Sequence, residues 1–167
     1  MDPLEEIRSM NKITTIWATI LSVLIFTHST VVVAENIKYT GTVYAISVQS
    51  LMPLGNGDGV VISEVSGVSA MSGNPPSLFG FNCAGMGIED AEGKAEIDIY
   101  CTFKENDDDS FDLKGTIKQG KGKLKVIGGS GKYADATGKG TFKRTDGGKP
   151  GTTGAAKGII EVSIRTK

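Results

Sequence analysis

All 23 glycines of this 167-residue chain lie beyond residue 34, and between the glycine-rich breaks Val, Ile, Thr, Tyr and Phe alternate with polar residues. Glycine disfavours helix, and branched or aromatic side chains at every second position suit a pleated strand with one buried face. The pattern predicts an all-β domain of short antiparallel strands with little helix. Residues 94–104 show it most clearly. Ala95, Ile97, Ile99, Cys101 and Phe103 share one face, and Glu96, Asp98, Tyr100, Thr102 and Lys104 share the other.

Eight segments read as strands: 37–49, 59–66, 79–87, 94–104, 111–118, 123–127, 140–145 and 156–165. The first changes its alternation near Gly41, which predicts a bulge or a close backbone approach there. In the last, Ile160, Val162 and Ile164 face one way and Glu161, Ser163 and Arg165 the other. Residues 50–58, with Pro53, Gly55 and Gly57, read as a loop, as do residues 69–77, with Asn74-Pro75-Pro76; the second is long enough to lie over one end of a barrel. Eight such strands close into an antiparallel barrel, which removes exposed edges and leaves an interior filled by side chains or holding one small ligand. A two-sheet β-sandwich fits the same periodicity.

Two regions are expected, a leader at 1–34 and the β domain at 35–167. Residues 16–26 are an uncharged apolar run of signal-peptide length, followed by the polar Thr27-His28-Ser29-Thr30 and by Val32 and Ala34, small residues that suit cleavage after Ala34. Asp2, Glu5 and Glu6 outweigh Arg8, so Met10, beside Lys12, reads as the true start. The alternative is an uncleaved anchor, which takes about 20 apolar residues without a polar break. Cleavage would make the domain an exported one, periplasmic or secreted, with no membrane contact afterwards. The single His28 and single Trp17 fall in this leader. Without imidazole, the domain lacks the commonest general base and metal ligand, which argues against hydrolase triads and zinc or haem chemistry. No cofactor is expected.

Cys83 and Cys101 are the only cysteines, and an exported chain with an even count pairs them. The segments around them flank the turn-prone residues 89–93 and read as a hairpin. A register in which paired residue numbers sum to about 184 sets Cys83 opposite Cys101, within disulfide reach. Phe79, Phe81 and Cys83 share parity, so the bridge should face the core. A reactive thiol pair is the other reading, but the apolar flanks offer nothing to lower a thiol pKa.

Charge is unevenly spread. Residues 89–112 are strongly acidic, and residues 114–144 carry Lys114, Lys118, Lys121, Lys123 and Lys125 among other bases. Asp107, Asp108, Asp109 and Asp112 invite a calcium reading. The loop lacks the sharp-turn glycine and distal glutamate of an EF-hand, so a solvated turn is preferred and no metal is assigned, with Asp107 and Asp109 kept as weak candidates. The lysines read as an outer strand face that discourages edge pairing, and no nucleic acid is expected, since aromatics are not interleaved with them. Gly128-Gly129-Ser130-Gly131-Lys132 is not a phosphate loop, because Tyr133 follows where Ser or Thr is needed.

Residues 123–143, KLKVIGGSGKYADATGKGTFK, are the most distinctive stretch. The succession of strand, Gly-Gly-Ser-Gly, aromatic turn, Gly-x-Gly and strand resembles barrels of the allene oxide cyclase and dirigent type. Cys83-Ala84-Gly85, Tyr100-Cys101 and Asn106-Asp107-Asp108-Asp109 resemble the corresponding places in small exported bacterial proteins of that barrel type. The resemblance spans residues 78–143 and departs at the acidic turn. It implies an eight-stranded barrel and carries no catalytic set, because a fold hosts many functions. A homo-oligomer enters only by analogy with such barrels.

The function expected is non-catalytic: a barrel holding a small apolar ligand in its interior or at its mouth. An isomerase or cyclase acting on an apolar substrate is the alternative, and a purely structural or surface-interaction protein is a third. Glu64, between Ile62 and Val65, is the weak ligand-site candidate, since burial there would raise its pKa; Asp98, Tyr44, Tyr100 and the lysines complete the acid–base candidates. The interior decides. A core packed solid by Phe81, Ile97, Ile99 and Leu113 would end the carrier reading, and an open cavity with a buried, paired carboxylate would favour an enzyme.

Overall fold

The computed structural model describes residues 34–147 and 153–167. The expected leader up to Val33, with Trp17 and His28, lies outside the described residues. Eight strands follow in order: β1 (Asn36–Pro53), β2 (Gly59–Ser72), β3 (Ser77–Glu89), β4 (Ala95–Lys104), β5 (Ser110–Lys118), β6 (Lys121–Ser130), β7 (Thr137–Gly147) and β8 (Gly154–Arg165). The one helical element among the described residues is a 3-10 turn at Gly131–Tyr133.

Each strand pairs antiparallel with the next, and β8 pairs with β1, so the sheet closes and the sandwich alternative falls. The closure is staggered. Ser47 pairs with Val65, then Cys83, Cys101, Leu113, Val126, Gly138 and Ile164, which pairs with Ile37, ten residues before Ser47 on the starting strand. That shear tilts the strands and widens the barrel enough to leave room inside.

The β3–β4 hairpin has the expected register, with Cys83 opposite Cys101 and a disulfide joining them at a Cα–Cα distance of 4.0 Å. Both cysteines pack against the core. Asp90 closes the turn: its side chain accepts from the backbone N–H groups of Glu92 and Lys94 at 3.0 and 2.8 Å.

Several boundaries differ from the sequence expectation. β1 shows no bulge at Gly41, because its register with β2 and β8 is unbroken. The glycine marks a close approach instead, since a Cβ there would lie 2.3 Å from the Ala70 carbonyl oxygen. Register shifts occur at Asp112/Leu113 and Arg144/Asp146. The expected long loop at 69–77 shrinks to residues 73–76, because β2 runs on to Ser72 and β3 begins at Ser77, so it is too short to cover the barrel end. Hydrogen bonding to a neighbour extends a strand beyond the point where its alternation becomes hard to read.

The two ends of the barrel differ. At the end where β1 begins and β8 finishes, Tyr39, Phe79, Phe103, Phe111 and Tyr133 are buried together. Their ring centroids lie 5.2–5.5 Å apart in the Tyr39–Phe79, Phe79–Phe111, Phe103–Phe111 and Phe111–Tyr133 pairs. Pairs at this spacing contribute about 0.5–1.5 kcal/mol each beyond burial. The 3-10 turn drives Tyr133 into this end. Gly131 begins it with φ 56°, and a Cβ there would lie 2.1 Å from Asp109 Oδ1, so the position admits only glycine.

Candidate functional site

Away from the aromatic end the inward residues are small or aliphatic, and they line a cavity of about 370 Å³ open at the opposite end. Val43 and Ala45 of β1, Val65 of β2, Ile97 and Ile99 of β4, Ile117 of β5 and Phe142 of β7 form its wall, above a floor that includes Phe81, Phe103 and Leu113. The residues expected to fill the interior thus line a space. Glycine at 158 makes room for the Phe142 ring: a Cβ there would lie 2.4 Å from it, so the ring takes space that a side chain at 158 would fill.

Toward the open end the wall becomes polar. Ser47 and Gln49 of β1 and Ser63 of β2 point inward, and Gln49 Nε2 donates a long hydrogen bond of 3.4 Å to Ser63 Oγ. Ser47 Oγ is buried with no hydrogen-bond partner among the described residues. Arg144, half-buried on β7, shares the inward parity of Phe142. Lys94 and Lys157 complete the rim. Lys94 pairs with Glu92, and Lys157 sits 5.5 Å from the centroid of the outward-facing Tyr44 ring. No aspartate or glutamate lines the cavity among the described residues. Glu89, at the end of β3, has a buried Oε2 without a hydrogen-bond partner among the described residues, but it lies outside this lining.

The polar pole had no usable sequence signal. On β1 the outward residues Tyr44, Ile46 and Val48 are apolar and exposed, while the inward Ser47 and Gln49 are polar, so the pattern is inverted there.

Glu64 does not join the cavity. It is exposed on the outer wall, in a shallow groove with Ile46, Val48, Tyr100 and Asp112. Tyr44, Tyr100 and Asp98 also face outward, as do Lys114, Lys118, Lys121, Lys123 and Lys125. Across much of β1 to β3 the outer wall is apolar, with Ile46, Ile62, Val68, Leu78 and Met86 all exposed.

Asp109 staples loops. Its Oδ1 accepts from the Lys132 backbone N–H at 2.9 Å and its Oδ2 from Asn106 Nδ2 at 3.1 Å. These bonds, the Lys132 N–H first, hold its carboxyl below the ordinary aspartate value. Asp112 Oδ1 accepts from Thr102 Oγ1 at 2.7 Å, and Asp107 is exposed. No group of three or more metal-ligating side chains comes together among the described residues.

A second polar cluster seals the aromatic end. Glu105 accepts from Ser77 Oγ at 2.6 Å, from Tyr133 Oη at 3.0 Å and from Lys132 Nζ at 2.6 Å. Because the Tyr133 O–H points at Glu105, the 3.0 Å contact between the two tyrosine oxygens is donated by Tyr39. Burial, then these hydrogen bonds, push the Tyr133 phenol well above its ordinary value.

No family model matches this chain, and no curated protein matches it. Among solved structures, two pterocarpan synthase dirigent proteins are similar to it. GePTS1 has a TM-score of 0.46 at 13% identity, covering 80% of this chain and 87% of its own. PsPTS1 has a TM-score of 0.47 at 12% identity, covering 77% and 95%. The closed barrel itself stands on this chain's own strand pairing.

Proposed function

We propose that the barrel is a non-catalytic carrier of one small apolar molecule, held between the aromatic floor and the open mouth. The observation that carries this reading is the cavity of about 370 Å³, walled by aliphatic side chains and open at one end. That volume falls in the range of ligand pockets, and an apolar wall with a few polar groups at one pole is their usual composition. A ligand entering it exchanges water held by few hydrogen bonds for close contact with the wall, which favours binding. The cyclase alternative has less support because no carboxylate lines the cavity among the described residues, and its hydroxyls, Ser47 and Ser63, are weak bases. Export belongs to the same proposal: it is supported by the apolar run before residue 34 and is compatible with the disulfide.

The test is fluorescence titration with the uncharged dye phenylnaphthylamine. The native protein should bind one dye per chain, and Ala45→Phe or Ala156→Phe, which fill the cavity, should weaken binding at least about tenfold while cooperative unfolding persists. Val48→Ser, on the outer wall, should leave the titration unchanged. Dye binding abolished by the outer variant and not by the fillers would overturn the carrier reading and favour a surface-interaction role.

A further inference from the structure

We infer that the ligand is an amphipathic organic anion, its apolar body in the barrel and a single carboxylate- or sulfonate-type head at the mouth against Arg144. The inference rests on the carrier reading and specifies its ligand. Three charged residues border the cavity among the described residues, Lys94, Arg144 and Lys157, and all three are cations. Lys94 is paired with Glu92 outside the lining, and the cations that border the cavity favour an anionic guest over a cationic one.

Arg144 is the cation placed to touch the head. By the alternation of β7 it points inward with Phe142, whereas Lys143 and Thr145 point out. Lys157 has the outward parity of β8 and lies against Tyr44 on the outside. Room for the guanidinium comes from its neighbours. Its stem lies over Gly120, where a Cβ would come within 3.3 Å of Nε, and the inward positions beside it on β8 and β1 are Ala156, Gly158 and Ala45.

The backbone does not need this side chain. The Arg144 N–H donates to the Gly120 carbonyl at 2.7 Å, a bond that any residue except proline would make. A planar guanidinium beside an apolar wall matches a carboxylate or sulfonate with paired hydrogen bonds, strengthened by the low local polarity. Ser47 Oγ supplies the independent sign of a ligand's polar end: it is buried in this wall and has no hydrogen-bond partner among the described residues. At the mouth the head keeps part of its hydration, so the desolvation that makes deep ion pairs costly is largely avoided.

The experiment compares phenylnaphthylamine with its sulfonate, anilinonaphthalene sulfonate, which has the same ring skeleton plus one negative charge. In the native protein the sulfonate should bind more tightly than the uncharged parent. In Arg144→Gln the ratio of the two affinities should fall about tenfold, about 1.4 kcal/mol, and in Arg144→Glu it should invert. Arg144→Lys should restore most of the preference, which a role in folding alone would not predict. If the uncharged dye enters the cavity but the ratio is the same in native protein and Arg144→Gln, the anion inference is overturned and the carrier reading stands. If the uncharged dye does not enter the cavity at all, the carrier reading falls and takes the inference with it.

Discussion

Glu105 shows how one side chain sets the pH range of the closed end. Burial disfavours its charge, but the hydrogen bonds from Lys132, Ser77 and Tyr133 outweigh burial and hold its carboxyl below the ordinary glutamate value. A lowered carboxyl contributes stability that is complete above the unfolded-chain value, 4.5, and is lost as pH falls through the folded one. Lys132 is opposite in sign: burial would lower it, but Glu105 raises it, so its contribution holds below 10.5 and is lost as pH rises through its folded value. Replacing Glu105 by Gln is expected to cost about 2 kcal/mol at neutral pH, because the buried Tyr133 hydroxyl loses its charged acceptor and Lys132 its ion-pair partner. It should also flatten the acid limb of the stability profile. Urea unfolding at stepped pH measures both effects, and an unchanged acid limb would place the sensitive carboxylate elsewhere.

Among the hairpins, the β5–β6 turn is the least well served by its sequence. Two residues join the strands, Gln119 with φ 50° and Gly120 with φ 74°, the left-handed pair that a type I′ turn requires. Glycine accepts that geometry, but glutamine does so at a cost, and asparagine tolerates it better. Gln119→Asn should therefore stabilise the protein by about 0.5 kcal/mol, read as a raised thermal midpoint in calorimetry.

The same scale explains what could be read from the chain alone. The β3–β4 hairpin was legible to the register because Ala95 to Lys104 alternate without a fault and Cys83 and Cys101 fix which residues oppose. β1 and β2 were not, for the reverse reason. Their outer faces carry Tyr44, Ile46, Val48, Ile62 and Val68, so apolar residues no longer mark the inside. Glu64, a weak ligand-site candidate because burial among such residues would raise its pKa, is exposed on the outer wall. Ser47 and Gln49, both polar, line the cavity. Arg144 lies in a strand legible at 140–145, but a charged residue does not mark the inside, and only Phe142, of the same parity, shows that it points inward. Periodicity places residues on faces; only pairing decides which face is the interior.

For the whole molecule, the contrast between its ends governs traffic. One end is filled by five aromatic rings and locked by the Tyr39–Tyr133–Glu105 chain, and the other is open. Among the described residues the barrel is a vessel with a single door, which must empty before it can refill: no newcomer can push the occupant out from behind, and two guests cannot pass in the neck. Stopped-flow replacement of a bound dye should then run at one fixed rate, however much competitor is supplied, and a rate that climbs with competitor would reveal a second way in.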